Sequence, residues 1–350
     1  MWLVVTLILL RIFLPYIMLH YANKELSELS GYYGHINDLS VALYRGAYTL
    51  DSIYINKVEE KSGKQNPFFS SKSVDLSLDW GSLVKGKLAG EVILIEPDIQ
   101  FTQNKVELQD VAKDSSSFRE LLHDFMPIQI NRTEIKHGRI VYTDNTKATK
   151  IEMEMTDIDA LALNLKNTYN KKEVLPATLH LTSRVHGGDL LLNMRLNPLS
   201  EHTDFDFDLE VLKVELSQLN PFFKEYANLD VNKGSFTMYM EAATKDNEFV
   251  GYVKPFMEDL DVLSLKGQDK DDGFFQKIWE GIAGFGGKIL KNQRTDKIAT
   301  KIPLSGTIGG EQGIQSNVLI AVYNIVKNAF FKALNQNLDD EISIKNILKE

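Results

Sequence analysis

The chain has 350 residues, 43% of them hydrophobic and 10% aromatic, so it carries ample apolar material for a core and wholesale disorder is excluded. Its net charge of −9 comes without any long basic run, which argues against holding a nucleic-acid backbone. It contains no cysteine, which excludes disulfides, thiol catalysis and cysteine-ligated zinc, and leaves the chain tolerant of an oxidising compartment.

Residues Trp2 to Leu10 are almost wholly apolar, and after Arg11 the run resumes from Ile12 to Leu19. The stretch 1–22 is about long enough to cross a bilayer, and it is predicted to be an uncleaved transmembrane signal anchor. Arg11 would cost roughly 2.5–3.5 kcal/mol at mid-membrane. Either the surrounding Leu and Ile outweigh it, or the helix shifts so that Arg11 snorkels to one face. A cleaved signal peptide needs a basic start and a small-x-small cleavage site, and neither stands before residue 30. A buried helix without any membrane is the bland alternative. Lys24 and Arg45 both follow the segment, so charge leaves its orientation open.

From 23 to 265 the dominant period is two, which predicts an antiparallel β body. Ser73 to Trp80, Asp204 to Val211 and Ser235 to Ala242 alternate polar and apolar without a break. Val92–Phe101, Ile151–Met155, Asp159–Leu165, Thr178–Val185 and Leu190–Leu196 are further strand candidates. Gly187-Gly188-Asp189 and Lys245-Asp246-Asn247 separate consecutive runs as hairpin turns would, and Pro97 and Pro198 fall near strand ends. A short helix is predicted over 117–125, ended by Pro127. Asn66-Pro67-Phe68-Phe69 recurs as Asn220-Pro221-Phe222-Phe223, a hint of repeated β units.

The segment 266–350 reads as α+β, with amphipathic helices over 272–290 and 318–334. Phe274, Ile278, Trp279, Ile282 and Phe285 give the first helix one oily face suited to a membrane surface.

Residues able to carry chemistry are present but not gathered. The histidines, at 20, 35, 123, 137, 180, 186 and 202, form no metal-binding helix pattern. His180 and His186 are spaced to share a strand face, yet no third ligand stands out. Gly281 to Lys288 suggests a phosphate loop, but Ile282 and Ile289 occupy positions where glycine and Ser or Thr are required. Asp204, Asp206 and Asp208 alternate with apolar residues and read as a solvated face. No serine has a Gly-x-Ser-x-Gly context, and Asn131-Arg132-Thr133 is a formal glycosylation triplet. No catalytic residue, metal site or cofactor is predicted.

Several short blocks carry a family resemblance. They are Leu14-Pro15-Tyr16, Asn23 to Leu26, Gly31 to Ile36, Leu43 to Tyr48, Leu83 to Leu88 and Ile95 to Ile99, with Ile302 to Ile308 and Lys327 to Phe330 near the other end. In these the chain resembles a short branch of the AsmA-like proteins of the Gram-negative envelope. The resemblance implies a single-pass inner-membrane anchor, a periplasmic body and an elongated, curved antiparallel sheet whose oily groove guides phospholipid for outer-membrane maintenance. It brings no catalytic residues. The chain is far shorter than the relatives that bridge the envelope.

A sheet with one apolar face must cover that face or offer it to an apolar ligand. Phe205, Phe207, Leu209, Phe236, Met238 and Met240 are the predicted lipid-facing residues. The implied partners are membrane lipid and other envelope proteins. A scaffold without lipid cargo is the alternative, and an enzyme the least favoured reading.

Overall fold

The computed structural model describes residues 2–29, 31–59, 62–78, 89–103, 129–144, 150–165, 173–197, 204–226, 229–245, 248–265, 297–299 and 302–307. The helices expected over 117–125, 272–290 and 318–334 lie outside these. So do Phe274, Ile278, Trp279, Ile282 and Phe285, and the glycine-rich run 281–288.

The described chain is mainly β, with a large, predominantly antiparallel sheet of fourteen strands. It divides into two units, each taken by itself. Unit 1 contains α1 (Trp2–Ser27), β1 (Tyr32–Ala42), β2 (Ala47–Val58), β3 (Gln65–Leu78), β4 (Ala89–Ile95), β5 (Asp98–Gln103), β6 (Gln129–Asp144), nearly all of β7 (Ile151–Leu163), and β8 (Ala177–Val185) as far as Ser183. Unit 2 contains β9 (Gly188–Leu196), β10 (Phe205–Glu215), α2 (Asn220–Tyr226), β11 (Leu229–Lys245), β12 (Glu248–Leu265), β13 (Lys297–Ala299) and β14 (Ile302–Thr307).

In unit 1 the hydrogen-bonded order is β1-β2-β3-β4-β6-β7, with β5 beside β3 and β6. The single strand expected over Val92–Phe101 is in fact two. Glu96 adopts φ 50° and Pro97 offers no N–H, so the chain breaks there. β6 bridges the break: Glu96 N–H donates to Lys136 O (2.8 Å), and Arg139 N–H donates to Pro97 O (2.7 Å). β6 runs parallel to both β4 and β5, an exception within the mainly antiparallel sheet that was expected. Parallel neighbours require a crossover of a dozen or more residues, and residues 104–128 separate the two strands.

Strict alternation also slips in unit 1, and it slips in three strands together. Buried Ile36 and Leu39 on β1, Leu50 and Ile53 on β2, and Ser71 and Val74 on β3 are three apart rather than two. The register stays continuous, with Ile36 opposite Ile53, Leu39 opposite Leu50, Ile53 opposite Ser71 and Leu50 opposite Val74. Ser52, at φ 54°, absorbs the slip on β2. His137 on β6 and Asp157 on β7 are likewise left-handed. Asp157 joins the two runs expected at 151–155 and 159–165 into β7. Each left-handed non-glycine residue costs of order 1–3 kcal/mol. The return is that strands of eleven to fourteen residues keep their apolar side chains on one face. Ser71, the polar member of that row, lies 2.9 Å from both Ser73 O and Ile95 O.

α1 runs past residue 22 to Ser27. Met18, Leu19, Ala22 and Leu26 recur at helical spacing and pack with Ile36, Leu39, Leu50 and Ile53. Asn23 fastens the helix to β1: its Nδ2 donates to Ile36 O (2.9 Å), and its Oδ1 accepts from Ile36 N–H (2.7 Å). β1 ends the strand order, so the asparagine covers backbone groups that an edge strand would expose.

Unit 2 is a meander. β9, β10, β11 and β12 pair antiparallel in chain order, and both β13 and β14 pair with β12. The β8–β9 reversal uses two residues, His186 (φ 44°) and Gly187 (φ 78°), as a type I′ turn requires. A Cβ on the next residue, Gly188, would stand 2.7 Å from Val214 N and closer still to Leu212 O, so glycine is needed there. β12 starts directly after the break expected at Lys245-Asp246-Asn247 and continues to Leu265.

Candidate functional site

The alternation read from β10 and β11 places six apolar side chains on one face of unit 2. Leu209 stands opposite Met240, Val211 opposite Met238, and Val214 opposite Phe236, while Phe205 and Phe207 stack at 5.8 Å between centroids. The face continues through Met194 and Leu196 on β9, Val253 on β12 and Leu304 on β14, all buried. Phe205, Phe207, Leu209, Phe236, Met238 and Met240 are between 0% and 7% exposed. At the edge of this face Thr244 is buried and satisfied, accepting from Phe205 N–H (2.7 Å) and lying 3.2 Å from Phe205 O.

The opposite face of the same strands is polar. Asp206, Asp208 and Glu241 are exposed, and Asn193 Nδ2 donates to Asp208 Oδ2 (2.8 Å). Tyr252 stands directly across from Glu241. Its hydroxyl, hydrogen-bonded to that carboxylate, is pushed up to about 12 in pKa, with burial adding to the effect. Lys254 sits 5.1 Å from the centre of the Tyr252 ring.

In unit 1 the charged groups form short ladders. Arg139 bonds Glu154 Oε1 (2.6 Å) and approaches Asp98 Oδ2 (3.4 Å). The Glu154 bond is the main reason the guanidinium pKa is raised. Burial opposes ionisation of Glu134, but bonds from Arg132 and Lys136 outweigh it and lower the carboxyl pKa. The Arg139 pairs tie β6 to β5 and β7, whereas the Glu134 pairs lie along β6 itself, and each contributes little. The Glu134 carboxylate is stabilised as the anion, which suits charge pairing rather than proton transfer.

His186 belongs to the β8–β9 turn, not to a strand face shared with His180, which corrects that expectation. His180 is exposed on β8. Among the described residues no group of three or more His, Asp or Glu side chains is placed to hold a metal ion.

The second notable surface is on α1. Ile12, Phe13, Tyr16 and Ile17 are 52–71% exposed, whereas Ala22 and Leu26 are buried against the sheet. Sequence reading took the apolar run as a whole. It missed that the stripe Met18, Leu19, Ala22 and Leu26 belongs to the β body, although the three- and four-residue spacing carried that signal. Among the described residues no helix is long and apolar enough to cross a membrane. The side chains of residues 2–10, the most apolar part of α1 by sequence, lie outside that description.

Compared with known proteins, the sequence matches no family model and no curated protein.

Proposed function

We propose that this chain is a non-enzymatic, membrane-anchored envelope protein that binds phospholipid acyl chains on the apolar face of its sheet. The observation that carries the reading is the sidedness of β10 and β11. Six large apolar side chains share one face, while Asp206, Asp208 and Glu241 occupy the other. A broad apolar sheet face backed by a wet one suits the shape and chemistry of acyl chains. The anchor is α1, whose apolar residues are spread round its circumference rather than gathered on one stripe, as a lipid-surrounded helix requires. The 26 residues of α1 rise about 39 Å. An AsmA-like relationship, an inner-membrane anchor and a periplasmic body are parts of the same proposal, supported by the short sequence blocks from Leu14 to Ile99.

A specific observation favours a second reading. The six lipid-facing candidates are at most 7% exposed, which suits a filled core and hence a scaffold for other envelope proteins. The two readings part on one experiment. A photo-crosslinking benzoylphenylalanine is placed at Leu209 on the apolar face, and at Asp208 on the wet face, of the full chain expressed in a Gram-negative host. Phospholipid adducts at 209 and none at 208, read by mass spectrometry, support lipid binding. Adducts only within the chain or to another protein at 209 support the scaffold.

A further inference from the structure

The packing of α1 on β1 identifies another part of unit 1 that meets the bilayer, an inference that rests on the anchoring role proposed for α1. Helix and strand run in opposite directions, and their contacts step along together. Tyr32 N–H donates to Leu29 O (3.2 Å), the Leu26 side chain stands where a Cβ on Gly34 would be 3.0 Å away, and Asn23 is bonded to Ile36. Moving toward the amino end of α1 is therefore moving toward the carboxyl end of β1. From Ile36 to Ala42 the strand advances about 20 Å, the rise of roughly thirteen helical residues. The tip of the β1–β2 hairpin, Leu43–Gly46, thus belongs to the same end of unit 1 as the apolar amino-terminal half of α1. The β2–β3 turn belongs to the opposite end, beside Gly31, whose carbonyl accepts from Val58 N–H at 2.9 Å.

Lengths bring that tip to the membrane. Roughly thirteen helical residues before Asn23 is residue 10, so the tip stands level with the carboxyl end of the apolar run Trp2–Leu10. No linker intervenes between this stretch and the packed part of the helix, which is continuous from Trp2 to Ser27. A bilayer that takes Trp2–Leu10 therefore reaches the hairpin tip as well. The side chain presented there has the right character. Tyr44 is 81% exposed, the most exposed large apolar side chain among the described residues. Its neighbour Arg45 reaches Asp75 Oδ1 at 3.2 Å and keeps 48% of its side chain exposed. Tyrosine is enriched at membrane–water interfaces, and a basic neighbour suits anionic headgroups. We propose that the β1–β2 hairpin tip is a second membrane contact, with Tyr44 seated in the headgroup layer of a phospholipid bilayer.

The chain has no cysteine of its own, so single labels are clean. Full-length Phe13→Cys, Tyr44→Cys and Lys64→Cys variants each receive an NBD fluorophore and are reconstituted into phosphatidylcholine–phosphatidylglycerol vesicles. Spin-labelled lipid carrying its quencher near the headgroup is then added. Strong quenching at 13 and 44, with none at 64 in the β2–β3 turn, is the expected result. Quenching at 13 with 44 behaving like 64 overturns the hairpin contact and leaves the anchor standing. Equal quenching at 44 and 64 also overturns it, because the sheet would then lie flat on the bilayer. No quenching at 13 overturns the anchor and this inference with it.

Discussion

The four residues Asn-Pro-Phe-Phe occur once in each unit, and they fold differently. Asn66–Phe69 lie inside strand β3, while Asn220–Phe223 open helix α2. In the first copy Pro67 pairs with Asn56 beside a register shift, where a missing N–H is tolerated. Phe68 packs against Tyr32 and Phe101 at 5.4 and 6.1 Å, and Phe69 enters the core. In the second copy a 3-10 turn, Leu216–Leu219, leads into the motif. Pro221 then falls in the first helical turn, where an N–H has no intrahelical acceptor. Asn220 exchanges both hydrogen bonds with Val231 of β11 (2.7 and 2.8 Å), much as Asn23 does with Ile36. Local sequence is the same in both places, and neighbouring strands decide the outcome.

The largest expected contrast is between the second phenylalanines. Phe69→Ala empties a buried position and should cost about 3–5 kcal/mol in urea denaturation. Phe223 is only half-buried, and Phe223→Ala should cost about 1 kcal/mol. Equal losses would show that the two copies carry equal weight in their units, against the difference drawn above.

The asparagines should differ in the opposite sense. Asn220→Ala strips both partners from the Val231 backbone and should cost about 1–3 kcal/mol. Asn66 Nδ2 donates to the exposed Glu59 carboxylate (3.0 Å), so Asn66→Ala should stay within about 0.5 kcal/mol. Asn23→Ala should resemble Asn220→Ala, even though alanine is the better helix former. A neutral Asn23→Ala would mean that α1 holds to β1 through apolar packing alone.

What the sequence made legible follows the same division. The strands of unit 2 were readable because Phe205 to Val211 and Phe236 to Ala242 alternate cleanly, and the six residues of the candidate face followed from that pattern. The slip in unit 1 was not readable, because Leu50 and Ile53 fall out of phase unless Ser52 is known to be left-handed. The parallel placement of β6 was hidden for a related reason: Val92–Phe101 looks like one strand until Glu96 turns. The fate of the second Asn-Pro-Phe-Phe was set by Val231, eleven residues on, which no local pattern reports. For the site, sidedness was legible in residue order, whereas the association of Tyr44 with the amino-terminal end of α1 required the pairing of Asn23 with Ile36.

The smallest expected effect separates two tyrosines that reach the same pKa by different routes. Tyr48 in unit 1 is pushed up to about 12 by burial. Tyr252 in unit 2 is pushed up to about 12 first by its bond to Glu241. In both cases the folded protein holds the phenolic proton more tightly than the unfolded chain, which releases it near the ordinary value of 10. The stabilisation is therefore complete below pH 10 and drains away as the pH climbs from 10 toward 12. Glu241→Gln removes the anion facing Tyr252 and leaves the surroundings of Tyr48 untouched. In an alkaline titration followed by NMR of ring-labelled tyrosine, the Tyr252 transition should fall toward 10 and the Tyr48 transition should stay. A shift of both together would mean that the two high values share one cause, and that the units are less distinct in their local physics than their two Asn-Pro-Phe-Phe motifs indicate.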